Sequence, residues 1–182
     1  QPDDTLKLTA GFRTTNDEKD AVGGTKVQIR PPCGGPFCWV NVGSQAYSPE
    51  DSWSSGTYKL GIDKYINDDR MVYATMSTGY KAGGFNFGVS SAESYDPEEL
   101  TAFEIGSKNR FNDGRMQLNA TVFYYDYTDM QVFQVVDQTI VIRNASEADI
   151  SGAELEFVAA LSDNLRVDAS LGLLEAEYKK FI

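Results

Sequence analysis

Several segments of this chain alternate apolar and polar residues with a period of two, over lengths that exceed an ordinary strand. The clearest is MQLNATVFYY, residues 116–125, where every second residue from Met116 to Tyr124 is apolar or aromatic. Successive side chains of a strand point to opposite faces, so this segment has one apolar face and one wetter face. Strands of globular proteins usually contain about five or six residues. We therefore predict a long antiparallel strand with one face on hydrocarbon, as in a membrane β-barrel.

The same pattern recurs along the chain and predicts an all-β fold. Seven strands are predicted, at about residues 5–14, 57–66, 70–80, 100–111, 115–136, 139–161 and 165–178. Three tight turns, at about residues 68, 113 and 163, alternate with longer polar connections, of which residues 15–56 form the longest. Short turns on one side and long extracellular loops on the other are typical of outer-membrane barrels. We predict an antiparallel up-and-down meander, an incomplete segment of a large transmembrane barrel.

A secreted β-sandwich is the alternative fold, since its strands also alternate. A sandwich has a dry inner face and a polar outer face, so alternation alone does not separate the two architectures. The length of the strands and the asymmetry of their connections favour the barrel.

The composition argues against several classes of function. The 182 residues carry a formal net charge of −11 and no basic stripe, which argues against nucleic-acid binding. The sequence has no histidine, so the commonest general base and metal ligand is missing. No run of about eighteen apolar residues is present, so no transmembrane helix is predicted. We identify no catalytic residue, metal site or cofactor site, and we expect a protein that is not an enzyme.

The two cysteines lie close together in PPCGGPFCW, as Cys33 and Cys38. A lone pair with four residues between them and no histidine is a poor zinc site. The surrounding prolines and glycines are turn formers that can bring the two Cα atoms together. We predict a small local disulfide in an exposed loop, which implies an oxidising compartment.

Aromatic residues gather at one end of the predicted strands. Tyr80, Phe85 and Phe87 lie in GYKAGGFNFG, which lacks the helix that a phosphate-binding loop requires. We favour a place in the aromatic belt at the membrane interface. The alternative is that these side chains reach into the vestibule and stack on a ligand. On the fifth strand, Tyr125 and Tyr127 face inward and are further candidates for ligand binding.

The charged residues of the later strands share one face. We predict that they point inward and pair across neighbouring strands rather than form a catalytic carboxylate pair. They are Glu104, Lys108, Arg110, Glu154, Glu156, Arg166 and Asp168.

Several ordered motifs resemble the barrel of a TonB-dependent outer-membrane receptor. The strongest are GYKAGGFN at 79–86, PEELTAFEIGSK at 97–108 and ISGAELE at 150–156. The similarity runs from about residue 6 to residue 181, apart from the 15–56 connection, and is greatest to the ferric-siderophore branch.

The resemblance implies a bacterial outer-membrane protein that imports a scarce, large ligand, with a ferric siderophore favoured. Such receptors have a barrel of about twenty-two strands, filled by an N-terminal plug that carries a TonB-contacting box. We recognise neither plug nor TonB box, so we expect residues 1–182 to be a piece of the barrel domain. The implied partners are outer-membrane lipid, the ligand, and the TonB–ExbB–ExbD complex acting through the missing plug.

Two other functions stay open at this stage. One is a secreted all-β binding or adhesion module, and the other is a passive outer-membrane channel. The ligand is also open, because cobalamin, a nickel chelate or an oligosaccharide would suit a receptor of this kind as well as a siderophore.

Overall fold

The computed structural model describes residues 5–29, 40–86, 93–136 and 139–181, and these ranges are built almost entirely of strands. No helix in them has the length and apolar character needed to cross a membrane. The strands are β1 (Leu6–Asp20), β2 (Gly23–Ile29), β3 (Val40–Tyr47), β4 (Glu50–Asn67), β5 (Arg70–Lys81), β6 (Gly84–Phe85), β7 (Ser94–Tyr95), β8 (Glu98–Phe111), β9 (Met116–Val136), β10 (Thr139–Ser162) and β11 (Leu165–Phe181).

Seven of these strands form one antiparallel sheet, in the order β1-β4-β5-β8-β9-β10-β11. Each strand pairs with the next long strand in the chain. The other four make two small hairpins, β2–β3 and β6–β7, which lie within the connections β1–β4 and β5–β8. The predicted meander of seven long strands, an open piece of a larger barrel, is confirmed.

The first two predicted strands were too short. β1 continues to Asp20 and β4 begins at Glu50, and these two residues pair with each other. The sequence prediction ended both strands early because residues 16–20 and 50–55 are rich in Asp, Asn, Glu and Ser, which are poor or neutral strand formers. Backbone pairing between β1 and β4 outweighs that preference. The connection therefore spans residues 21–49 rather than 15–56, and it contains the β2–β3 hairpin.

The tight turns lie where the sequence places them. The turn between β8 and β9 has left-handed backbone at Asn112 (φ 54°), Asp113 (φ 53°) and Gly114 (φ 81°). Asparagine, aspartate and glycine tolerate this conformation better than other residues, which explains the choice of side chains here. Asn67 caps its own turn, because its Oδ1 accepts a hydrogen bond from the backbone N–H of Asp69 at 3.0 Å.

One face of the sheet is apolar across all seven strands. The register aligns one residue from each strand in a single row: Leu8, Ile62, Ala74, Ile105, Val122, Ala153 and Leu173. Large members of this row are open to the surroundings, with Leu8 72%, Ile105 61% and Val122 54% exposed. Uncovered apolar surface of this extent is what a hydrocarbon-facing wall requires.

The opposite face carries the polar residues. The neighbouring row on that face is Lys7, Asp63, Tyr73, Gly106, Thr121, Glu154 and Gly172. Asn119 pairs with Glu156 in the next row, and its Nδ2 donates to the glutamate Oε2 at 3.1 Å. The predicted division of each strand into an apolar and a polar face is therefore confirmed by the register.

The sheet has little buried core. Among the described residues, the hydrophobic side chains that are buried are Trp53, Val141, Ala148 and Ala159. Trp53 belongs to β4, and Val141 and Ala148 to the half of β10 that precedes the apolar band. Three of the four thus lie near the end of the sheet opposite the tight turns, where the long connections meet, and Ala159 lies near the tight turns.

Candidate ligand-binding site at the loop end of the sheet

The candidate ligand-binding residues fall into two groups. Tyr80 and Phe85 lie at the end of β5 and in β6, and Tyr125 and Tyr127 lie on the polar face of β9. Phe87 lies outside the described residues, as do Cys33 and Cys38. The predicted disulfide therefore stays a prediction.

Phe85 packs on a tryptophan that the sequence analysis did not select. The Trp53 and Phe85 ring centroids are 5.9 Å apart, and the ring planes are inclined at 54°. Trp53 is 8% exposed, which makes it one of the most enclosed large side chains in the described structure. The two rings form an aromatic platform at the loop end, in the tilted arrangement that aromatic pairs prefer.

A lysine completes this platform. The Nζ atom of Lys19 lies 5.4 Å from the centroid of the Trp53 ring, within the range of a cation–π interaction. The same Nζ donates to the backbone carbonyl of Gly83 at 2.5 Å. Lys19 thus connects β1 to the segment that leads into Phe85, and it brings a positive charge to the aromatic surface.

Two consecutive glycines allow this close packing. A Cβ on Gly83 would lie 2.3 Å from the carbonyl oxygen of Tyr95 and 2.6 Å from the Trp53 ring. A Cβ on Gly84 would lie 2.5 Å from the Tyr95 hydroxyl. Glycine is therefore a packing requirement at position 83, where a Cβ would meet a backbone oxygen, whereas a Cβ at position 84 would require the Tyr95 side chain to shift.

Tyr80 lines a separate polar cavity of about 440 Å³ beside the platform. Arg13, Asp17 and Thr57 share the lining. The Tyr80 hydroxyl is buried and lies near the Asp17 carboxylate. The side chain therefore contacts polar protein groups.

Tyr125 and Tyr127 belong to the inner wall. The Tyr125 hydroxyl donates to Glu104 Oε1 at 3.0 Å, and its ring stacks on Phe123 with centroids 4.9 Å apart. Tyr127 pairs with Leu100 and shares the face of Tyr125. These residues form the wall below the loop end, while Tyr124 points to the apolar side as expected.

The inward charges pair differently from the cross-strand ladder that we predicted. Arg166 and Asp168 form an ion pair within β11, with an N–O distance of 2.7 Å. Glu104 and Glu156 accept hydrogen bonds from tyrosine and asparagine side chains instead. Residues two apart on one strand share a face, so an in-strand pair competes with partners across the sheet.

Sequence reasoning missed Trp53 and Lys19 because both lie within the segment predicted as a loop. A signal was available, since Trp53 is one of only two tryptophans and stands in the polar sequence DSWSSG. Tryptophan is enriched at binding surfaces, so a tryptophan in a polar, serine-rich segment is a candidate for such a surface. Phe85 is half-buried and Lys19 is exposed, so these two side chains, packed on the enclosed Trp53 ring, form a surface suited to planar or anionic groups by stacking and charge attraction.

A family profile described as "TonB dependent receptor-like, beta-barrel" matches residues 1–180. Among the curated proteins, the chain is 27% identical over 143 residues to "Probable TonB-dependent siderophore receptor PiuA" of Acinetobacter baumannii. It is 29% identical over 126 residues to the pesticin receptor of Yersinia pestis. These alignments cover 74% and 68% of the chain but 19% and 17% of the relatives. The chain thus spans about a fifth of the length of these relatives.

Solved structures give the same fold. The ferric yersiniabactin uptake receptor FyuA from Yersinia pestis matches with a TM-score of 0.78 at 20% identity, over 100% of this chain and 26% of that one. The siderophore receptor PiuA from Acinetobacter baumannii matches with a TM-score of 0.71 at 22% identity, over 97% of this chain and 24% of that one.

Proposed function

The chain belongs to the TonB-dependent receptor β-barrel family of bacterial outer-membrane proteins, and from this premise we propose that its parent protein imports a ferric siderophore. The chain supplies part of the barrel wall and part of the extracellular binding surface. Import consists of binding and transport, with no covalent chemistry.

The observation that carries this proposal is the platform of Trp53, Phe85 and Lys19 at the loop end. The tight turns and the loops lie at opposite ends of the strands, which in outer-membrane barrels are the periplasmic and extracellular ends. The platform therefore faces the medium in which a scarce ligand is captured. Aromatic rings and a cation bind flat, partly anionic chelates by stacking and Coulomb attraction.

The deeper aromatic residues give the ligand a second set of contacts. Tyr125 and Tyr127 line the inner face along the route from the loop end toward the periplasm. We infer that they contact the ligand or the plug after capture. Energy for release comes through TonB–ExbB–ExbD acting on the plug, which is the arrangement that family membership supports. Two relatives are described as a siderophore receptor and a pesticin receptor, and both descriptions suit a large cargo.

The experiment uses the full-length receptor in cells and as purified protein. Uptake of ⁵⁵Fe bound to yersiniabactin, to a tricatecholate and to a trihydroxamate is measured in strains with and without TonB. We expect uptake of at least one chelate that requires TonB. Uptake that continues without TonB would favour the passive channel, and failure of all three ferric chelates would overturn the siderophore proposal.

A variant pair tests the platform. Phe85→Ala should weaken binding of the transported chelate about tenfold or more, since an aromatic anchor at a binding surface is worth about 2 kcal/mol. Phe133→Ala is the matched control, because Phe133 is an aromatic residue near the same end of β9 but is 76% exposed. Equal affinity of the two variants for the chelate would show that the platform is not part of the ligand site.

A further inference from the structure

In its described residues, 82–86 and 93–97, the connection between β5 and β8 is held against β9 and β10 by carboxamide side chains rather than by strand pairing. Asn86 is 7% exposed and makes a two-way bridge to the backbone of Ile142 in β10. Its Nδ2 donates to the Ile142 carbonyl at 2.8 Å, and its Oδ1 accepts from the Ile142 N–H at 2.7 Å. The side chain thus makes the hydrogen bonds that a neighbouring strand would make.

A glutamine on β9 holds the other side of the same connection. The Nε2 group of Gln131 donates to the carbonyls of Ala82 and Asp96, both at 3.0 Å. Its backbone N–H donates to Glu98 Oε2 at 2.8 Å. Gln131 therefore joins the beginning of the connection to its end.

Asn144 on β10 adds a third attachment. Its Nδ2 donates to the carbonyls of Asp96 and Asp129 at 2.8 Å and to that of Pro97 at 3.3 Å. Its Oδ1 accepts from the Asp96 N–H at 2.7 Å. Among side chains, asparagine and glutamine offer an uncharged donor and acceptor on one planar group, which suits them to bridge irregular backbone.

These attachments fix both ends of the short segment that carries Phe85. Ala82 is fixed by Gln131 and Asn86 is fixed to β10, and only Gly83, Gly84 and Phe85 lie between them. A segment of three residues with both ends fixed has little freedom. Phe85 is thereby held in place for its contact with Trp53.

We propose that Asn86, Gln131 and Asn144 form a carboxamide clamp that preorganises the Trp53–Phe85 platform for ligand binding. The three are positioning residues: Asn86 and Gln131 hold residues 82–86, and Asn144 holds residues 96 and 97 at the other end of the same connection. This role rests on the proposed function, whereas the existence of the clamp does not. Preorganisation raises affinity because less conformational entropy is lost on binding.

The test compares Asn86→Asp with Asn16→Asp in the full-length receptor. The first change removes the donor to Ile142 and places a carboxylate against a carbonyl oxygen. The second is the matched control at the same end of the sheet, because Asn16 Oδ1 accepts from Ser54 Oγ at 2.7 Å and a carboxylate accepts equally well.

Hydrogen exchange by mass spectrometry gives the first readout. Asn86→Asp should speed exchange in residues 82–86 and at the Ile142 amide about tenfold or more, while residues 117–126 of β9 keep their protection. Asn16→Asp should leave both regions unchanged. Unchanged exchange in residues 82–86 of the Asn86→Asp variant would overturn the clamp.

Affinity for ferric yersiniabactin, or for whichever ferric chelate the wild type transports, gives the second readout. Asn86→Asp should weaken it about fivefold or more with the assembled fraction of receptor unchanged. Faster exchange with unchanged affinity would overturn the positioning role. If the wild type binds none of the chelates, the siderophore proposal fails. Hydrogen exchange in residues 50–58, the segment that contains Trp53, then tests the positioning role. In the Asn86→Asp variant, exchange there should become faster together with exchange in residues 82–86. Unchanged exchange in residues 50–58 would overturn the positioning role.

Discussion

An arginine in the central apolar row should be far more costly than one on the opposite face of the same strand. Val122 is six residues beyond Met116, where β9 leaves its tight turn. At about 3.3 Å per residue and a tilt of about 40°, this is a rise of about 15 Å, close to the middle of an apolar band about 25 Å tall. The side chain is 54% exposed on the apolar face, with Ile105 and Ala153 beside it.

Val122→Arg should therefore cost about 2–4 kcal/mol, a 30- to 700-fold change in the folding equilibrium. Asn119→Arg is the control, because Asn119 lies on the polar face opposite Glu156, and it should cost less than about 1 kcal/mol. The assay is guanidinium unfolding of the full-length receptor in phosphatidylcholine vesicles, with heat-modifiable electrophoretic mobility reporting the assembled fraction. Equal costs for the two variants, or a larger cost at Asn119, would refute the assignment of the faces.

Three further predictions concern other parts of the chain. Thiol titration in denaturant without reductant should find no free thiol from Cys33 and Cys38, and replacing both with serine should leave barrel assembly intact; two reactive thiols would contradict the disulfide. Gly152→Ala should lower the melting temperature of the barrel, because its Cβ would lie 2.4 Å from a neighbouring phenyl ring and 2.5 Å from a backbone carbonyl; an unchanged melting temperature would contradict this packing. Lys179 Nζ lies 2.6 Å from Asp149 Oδ1. Asp149→Asn removes this ion pair and should lower the melting temperature, by less at about 1 M salt than at about 0.01 M salt because salt screens the attraction. A difference that does not change with salt would contradict the ion pair.

The sequence by itself determined the seven long strands of the sheet, their faces and their order, though not the ends of β1 and β4. Alternation with a period of two fixes which residues share a face, and Val122 and Glu154 fell on opposite faces as predicted. Turn residues such as Asn112-Asp113-Gly114 fix where the chain reverses, because few other residues tolerate the left-handed backbone that the turn requires. Both signals are local, so one sequence is enough to read them.

The tertiary structure alone decided the loop-end site. Trp53 and Phe85 are 32 positions apart, and Asn86 and Ile142 are 56 apart, so no local period links them. The polar ends of β1, beyond Thr14, and of β4, before Gly56, form strands only because they pair with each other. Packing requirements such as the Gly83–Trp53 contact depend on which loops meet above the sheet. Long-range contacts of this kind are set by how strands align across the barrel, and a pattern along one strand does not contain that information.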